Sequence, residues 1–324
     1  MPWDVRYAKG VWLPQIGWWL DAQTGVPRAV VSHAHSDHIA RHKEIVCTAP
    51  TALFLRERLG RRREEHVLAY GQTEQLTLDC AVTLHPAGHI LGSAHVLLEH
   101  QEHGSLLYTG DFKLRPGLAA EPCASPRADL LIMETTFGLP KYVFPPAAAV
   151  AAQLVQFCRD ALAGQTTPVL LAYSLGKTQE LLQILGPSGL PVMLHPQAAR
   201  LTDLYEQAGM KFAPYAEFDA VRYPGHVVIC PPQDQLLHLI HPRRTAVATG
   251  WALDSSAKYR YGCDAAFPLS DHAGFDDLLA FVERVQPKRV LTLHGYAREF
   301  AATLRARGLE AWAVGRENQL DLAL

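Results

Sequence analysis

The sequence predicts an α/β fold in which one domain is interrupted by a smaller α/β insertion. Three observations lead there. β-like runs bounded by turn residues fill the first 140 residues, strand and helix alternate in short units after Pro145-Pro146, and histidine-bearing turns lie on both sides of that alternating segment. Two domains in series would leave those turns unrelated, whereas an insertion lets them meet. The boundaries read from the sequence are 1–140 and 246–324 for the interrupted domain and 141–245 for the insertion.

The elements follow in order. Apolar or alternating runs at 28–32, 76–84, 95–99, 105–109 and 130–134 are separated by Pro27, Gly71 and Gly104, which predicts a meandering sheet with few helices. Residues 147–163 are Ala-rich, with Pro146 suited to a first helical turn and Gly164 to a stop. A strand at 169–173, a helix at 177–185, a strand at 192–195, another helix and a strand at 226–230 complete the insertion's pattern. From Thr245 the chain reads as strand, helix (275–285), strand (289–293) and helix.

Composition bounds the function classes. The chain has 324 residues, 48% of them hydrophobic, with a net charge of −2, so no global charge announces a polyanion partner and local patches or bound cations must supply any attraction. Six cysteines lie without a C-x-x-C pair, which predicts free thiols in a reducing compartment. The apolar stretch 11–20 is broken by Pro14 and Gly17, and no run reaches 18 apolar residues, so the expectation is a cytoplasmic protein with no membrane partner.

The strongest chemical signal is His33-Ala34-His35-Ser36-Asp37-His38, where the run 28–31 ends. Neutral imidazoles and carboxylates are the ligands of zinc and similar borderline ions. Four such groups so close cannot serve one tetrahedral site from a regular strand, but a loop can turn His33 and His35 to one ion and Asp37 and His38 to another. His89 follows Gly88, Asp111 follows Gly110 at the end of the run 106–109, and His294 precedes Gly295 after the run 290–293. With 16 histidines in the chain, the four-position pattern recurs by chance on the order of once per thousand chains of this length, which favours a metal site over structural histidines.

With these residues in place, the chain resembles the metallo-β-lactamase superfamily, whose H-x-H-x-D-H signature stands at His33 to His38. Asp21, Gly88-His89, Gly110-Asp111 and His294 match its other elements in order. It more narrowly resembles the β-CASP nucleases: Glu134 in Glu134-Thr135-Thr136-Phe137 matches their acidic motif, and His272 in Ser270-Asp271-His272 their next histidine. The segment Glu134 to Pro145 and Tyr173-Ser174-Leu175-Gly176-Lys177 are similar to the Artemis-type DNA-repair branch. His294-Gly295 resembles the RNA-processing branch and the compact bacterial exonucleases associated with DNA ligase and helicase genes. The short cap and Thr249-Gly250-Trp251 favour the last group.

The resemblance implies an αββα metallo-β-lactamase sandwich with a β-CASP-like cap, holding two divalent ions, zinc foremost with manganese or iron as alternatives. One ion is expected on His33, His35, His89 and Asp111, the other on Asp37, His38, Asp111 and His294, with Asp21 orienting a ligand histidine from behind. Asp37 and Asp111 then act as catalytic carboxylates, His272 as the general acid or a further ligand, and Glu134 as the acceptor of its other N–H. The implied activity is that of a 5′-to-3′ DNA exonuclease in repair, with DNA ligase or helicase as partners. An RNA-processing endo- or exonuclease and a non-catalytic nucleic-acid-binding homologue are the alternatives.

Two further sites are expected. Ser174, Gly176, Lys177 and Thr178 lie where a strand meets a helix, the setting of an anion site, and a 5′-phosphate is the expected guest. A P-loop is excluded because Leu171 stands where its first glycine would be. Lys258, Tyr259, Arg260 and Tyr261 alternate charge with aromatic faces, as a strand-binding groove requires. The basic cluster from Arg56 to Arg63 reads equally as a groove or as a solvated helix face, because Glu57, Glu64 and Glu65 are interspersed.

Overall fold

A computed structural model of the chain describes residues 2–314. They form two compact units, residues 2–143 with 272–314, and Phe144–Asp271.

The first unit holds two sheets. One has the strand order Arg6–Tyr7, Val11–Leu13, Trp18–Leu20, Arg28–Val30, Glu44–Cys47 and Glu64–Val67. Its first three strands are antiparallel, and the last four run parallel. The other has the order Glu310–Ala313, Arg289–Leu293, Leu130–Glu134, Gly104–Tyr108, Ala94–His100, Cys80–Pro86 and Thr73–Thr77. There the first four strands are parallel and the remainder antiparallel. The inward faces meet in a core of Leu13, Trp18, Leu20, Val30, Val82, Leu84, Val96, Leu106, Ile132 and Leu293. Helix Ala49–Leu59 covers the outer face of the first sheet through Ala52 and Leu55. Helices Phe275–Val285 and Ala297–Ala306 cover the second through Phe281, Phe300 and Leu304. The layers are helix, sheet, sheet, helix, the αββα sandwich.

The second unit is a six-stranded, wholly parallel sheet in the order Ala216–Glu217, Val192–Leu194, Val227–Cys230, Thr167–Leu171, Arg243–Ala248 and Ala265–Phe267. Helices Ala147–Ala163, Lys177–Leu185 and Pro196–Gln207 belong to it. Alternate residues of its strands face two cores, Leu170, Leu194 and Ile229 in one and Val169, Leu171 and Val228 in the other. Burial on both faces explains why these strands read as continuous apolar runs.

Five readings change. The run 76–84 is two strands, because Leu78 and Asp79 make a turn that leaves Leu78 fully exposed. The opening half is two sheets rather than one meander. Helix Ala49–Leu59 was not read, although Thr48 caps it through a side-chain bond to the Thr51 amide and Pro50 sits in its first turn. The second unit reaches Asp271 rather than residue 245, since Arg243–Ala248 and Ala265–Phe267 pair parallel beside Thr167–Leu171. Tyr142, assigned to the insertion by sequence, belongs to the first unit, where its hydroxyl lies 3.0 Å from that of Tyr296 and its carbonyl accepts from the Phe275 amide. Among the described residues, no helix is long and apolar enough to cross a membrane.

Candidate metal centre

Parallel pairing puts the carboxyl ends of neighbouring strands at one edge, and each candidate ligand in the first unit follows such an end. Asp21 follows Trp18–Leu20, the His33–His38 loop follows Arg28–Val30, Asp111 follows Gly104–Tyr108, Glu134 closes its strand, and His294 follows Arg289–Leu293. Cys80–Pro86 runs in the same direction two strands away, which delivers the loop bearing His89. Residues more than 200 positions apart thereby share one site.

His33, His35, His89 and Asp111 each offer a ligand atom within 4.8 Å of the others. His35 Nδ1 and His89 Nε2 are 3.0 Å apart, and Asp111 Oδ2 lies 3.6 Å from His33 Nε2 and 3.8 Å from His89 Nε2. His33 Nε2 is buried with no hydrogen-bond partner among the described residues. A buried orphan ring nitrogen is costly unless something accepts its lone pair, and a borderline divalent cation fits a donor set of three imidazoles and a carboxylate. The second expected set is looser. His38 Nε2 lies 3.3 Å from Asp111 Oδ2 and 3.7 Å from Asp37 Oδ2, while the His294 ring centroid is 6.0 Å from that of His38. Asp37, His38 and His294 line one small pocket with Tyr7 and Tyr108, but Asp37 and His294 fall outside the tight group.

The electrostatics suit ligands. Burial, reinforced by His38, holds His33 well below the ordinary imidazole pKa against the pull of Asp111. Burial also lowers His294. For His38, burial opposes the charged form, but Asp111 and Asp21 together outweigh it and raise the pKa well above the usual value. Burial would raise Asp111, yet His38, His272 and His33 hold it well below the carboxylate range. A cation bound by His38 would therefore have to displace a proton.

Behind the ligands, Asp21 accepts from the Ser32 amide at 2.7 Å, the Ser32 hydroxyl at 2.5 Å and the Tyr108 hydroxyl at 2.9 Å, and lies 2.9 Å from His38 Nδ1. Gly110 adopts φ +53°, and a Cβ there would strike Ser32 Oγ, so only glycine lets Asp111 approach. Glu134 accepts from the Phe112 amide and from the Thr136 amide and hydroxyl, and its Oε1 is 2.8 Å from His272 Nδ1. Gly295 (φ +54°) packs on Thr135 and Thr136, joining the turn after Glu134 to the one bearing His294. The sequence reading missed Ser32, Tyr7 and Tyr108. Ser32 had a signal, since a hydroxyl beside the first ligand histidine is a ready partner for a buried carboxylate.

The cap residues do not form the expected anion cradle. Lys177 is 2% exposed, its ammonium donates to the Leu269 carbonyl at 2.8 Å, and it faces Asp271 and Glu180 at 3.4 and 3.5 Å. The Thr178 hydroxyl and amide both donate to the Tyr173 carbonyl, and the Gly176 amide donates to Gln179 Oε1. Ser174 is buried, and its carbonyl accepts from the Gln179 amide. The Lys177 ammonium, the Thr178 hydroxyl and amide and the Gly176 amide are thus engaged within the unit. Lys258, Tyr259 and Arg260 are exposed on the short helix Ala257–Tyr261, whereas Tyr261 packs against a core. In the arginine cluster, Glu65 takes Arg56 and Arg63.

Residues 265–314 match the family described as Zn-dependent metallo-hydrolase RNA specificity domain. The chain is 63% identical over its whole length to a probable DNA ligase of Opitutus terrae, covering 32% of that protein. It is 28% identical over 88% of its length to the 5′ exonuclease Apollo of Rattus norvegicus, covering 55% of it. It is also 30% identical over 49% of its length to an RNase J-like protein of Methanocaldococcus jannaschii, covering 43% of that protein. The chain is a homologue of the metallo-β-lactamase-fold β-CASP nucleases. It spans about a third of the ligase-named relative and about half of the other two.

Two outcomes follow. Zinc uptake by the metal-free β-CASP homologue is expected to release protons and to weaken as pH falls below the raised His38 pKa. Calorimetry in buffers of different ionisation enthalpy reads this directly, and heats independent of buffer would contradict it. Lys177→Ala removes a buried ammonium facing two carboxylates and should destabilise the second unit by about 3 kcal/mol or more in urea unfolding.

Proposed function

We propose that the chain is a two-metal phosphodiester hydrolase acting on nucleic acid, a 5′-to-3′ DNA exonuclease of DNA repair. One observation carries the reading: a buried His33 Nε2 with no hydrogen-bond partner among the described residues, inside a cage of His35, His89 and Asp111, with His272 held by Glu134 beside the same Asp111. His33, His35, His89 and Asp111 would hold one ion, and Asp37, His38, Asp111 and His294 the other. Bound there, divalent ions would lower the pKa of water and offset charge developing on a phosphoryl group.

The chain's own groups account for the rest. Asp21 fixes the His38 ring through Nδ1, so that Nε2 points toward Asp111. Glu134, itself held by Phe112 and Thr136, accepts from His272 Nδ1, which sets the ring so that Nε2 can hand a proton to the departing 3′-oxygen. Lys258, Tyr259 and Arg260 offer two cations and a stacking face to a strand.

DNA as substrate is supported by the names of two relatives, a 5′ exonuclease and a probable DNA ligase, and the latter makes a ligase the natural partner of the reaction. RNA is the second reading, supported by the RNA specificity match at 265–314 and by His294-Gly295.

The deciding experiment uses end-labelled single- and double-stranded DNA and matched RNA, each with 5′-phosphate or 5′-hydroxyl, incubated with metal-loaded protein. Mononucleotides released from the 5′ end of DNA are expected. Cleavage of RNA alone would replace the DNA reading, and cleavage of neither would remove both. His272→Ala should cut turnover on the order of 10²–10⁴-fold while both ions stay bound. Loss of an ion instead would make His272 a ligand.

A further inference from the structure

Helix Ala49–Leu59 touches both loops that bring histidines to the centre, and it does so at opposite ends. At its first turn, the hydroxyls of Thr48 and Thr51, 2% and 0% exposed, donate to the Gly92 carbonyl at 2.6 and 3.0 Å. Gly92 has φ +80°, and a Cβ there would lie 2.6 Å from Pro50 Cβ and 2.9 Å from Thr48 Oγ1, so the loop backbone rests on the helix itself. The next residue, Ser93, carries the contact onward, because its hydroxyl accepts from the amides of His89 and Ile90 at 3.1 and 3.2 Å. At the last turn, Arg58 Nη1 donates to the Ala34 carbonyl at 2.8 Å. Ala34 is fully buried between His33 and His35.

Arg56 and Arg63 do not reach the ligand loops: both pair with Glu65. Arg58 differs, since its acceptor is a peptide of the ligand loop and Asp37 is the acidic group whose field acts on it. The eight residues from Thr51 to Arg58 form a rod of about 10 Å. The nitrogens that approach within 3.0 Å, His35 Nδ1 and His89 Nε2, come from the two loops held by its two ends.

We propose that this helix is a bracket that sets the spacing of the two ligand loops, with Thr51 and Arg58 as positioning residues for His89 and for the His33–His35 pair. These roles rest on the metal-centre reading and add to it a source for the geometry. Partners that orient ligands cost about 10- to 100-fold in metal affinity when removed, and a bracket at each end should show that effect at each end.

The test uses the full chain stripped of metal, titrated with zinc against a chromophoric chelator and with cobalt(II) read by its visible spectrum. Arg58→Ala and Thr51→Val are each expected to weaken zinc binding about 10- to 100-fold and to alter the cobalt spectrum. Arg58→Lys, which keeps the charge at the helix end, should recover part of the affinity, and Arg56→Ala on the same helix should match the wild type. The bracket is overturned if Arg58→Ala and Thr51→Val bind zinc as Arg56→Ala does. Should Arg58→Ala fail to fold, Arg58→Lys and Thr51→Val decide between the same outcomes. A wild-type chain that takes up no ion would sink the metal-centre reading itself, a result distinct from one in which wild type and variants bind alike.

Discussion

The carboxylate of Asp21 joins the two halves of the sandwich at the point where the candidate ligands converge. It stands at the end of a strand in the first sheet, accepts from Ser32 on the neighbouring strand end, and accepts from Tyr108 at the end of a strand in the second sheet. Its remaining capacity is directed at His38. A carboxylate this deeply buried persists only when its oxygens are filled. The four contacts therefore tie Ser32, just before the first ligand histidine, and Tyr108, just before Gly110-Asp111, to a common centre. Gly110 completes the arrangement by giving Ser32 Oγ room.

Around that centre, charge and burial work against each other in a way that suits cation binding. His33 and His294 are kept neutral by burial, so their lone pairs are available at ordinary pH. Asp111 is kept ionised by the histidines that surround it. Three imidazoles and a carboxylate this close would be a poor way to stabilise a fold with nothing between them, because each desolvated group adds a cost that no internal hydrogen bond fully offsets. Glu134 follows a different logic: its oxygens are filled by Phe112, Thr136 and His272, which orients a histidine without adding another carboxylate to the donor set.

Kinship and geometry speak to different levels of function. The αββα layers, the donor set and the homology to β-CASP nucleases support the metal-assisted hydrolysis proposed above. Substrate choice depends on surfaces beyond the ligands. In the second unit the one expected anion cradle is used up internally, because Lys177 answers Leu269 and Asp271 and the turn amides answer Tyr173 and Gln179. Lys258, Tyr259 and Arg260 of the same unit are exposed.

Local pattern was enough to single out His33, His35, His89 and Asp111, which the fold brings together, to place each just past a strand, and to set an α/β insertion between His89 and Asp111 on one side and His294 on the other. Helices Ala147–Ala163, Lys177–Leu185 and Phe275–Val285 were legible to the residue, since an apolar stripe with a start and a stop is encoded by neighbours. Helix Ala49–Leu59 escaped despite its cap because its basic, weakly amphipathic surface resembles a solvated face, and its partners Gly92 and Ala34 lie 41 and 24 residues away from Thr51 and Arg58. Burial of Lys177 was equally hidden: its acceptor is 92 residues downstream, and nothing near it distinguishes a buried ammonium from an exposed one. The sequence by itself determined the kinds of ligand and the strand ends that carry them. Tertiary structure alone decided which nitrogens meet, which cations are spent within the fold and where the insertion ends, because those depend on parallel strand pairing between segments far apart in the chain.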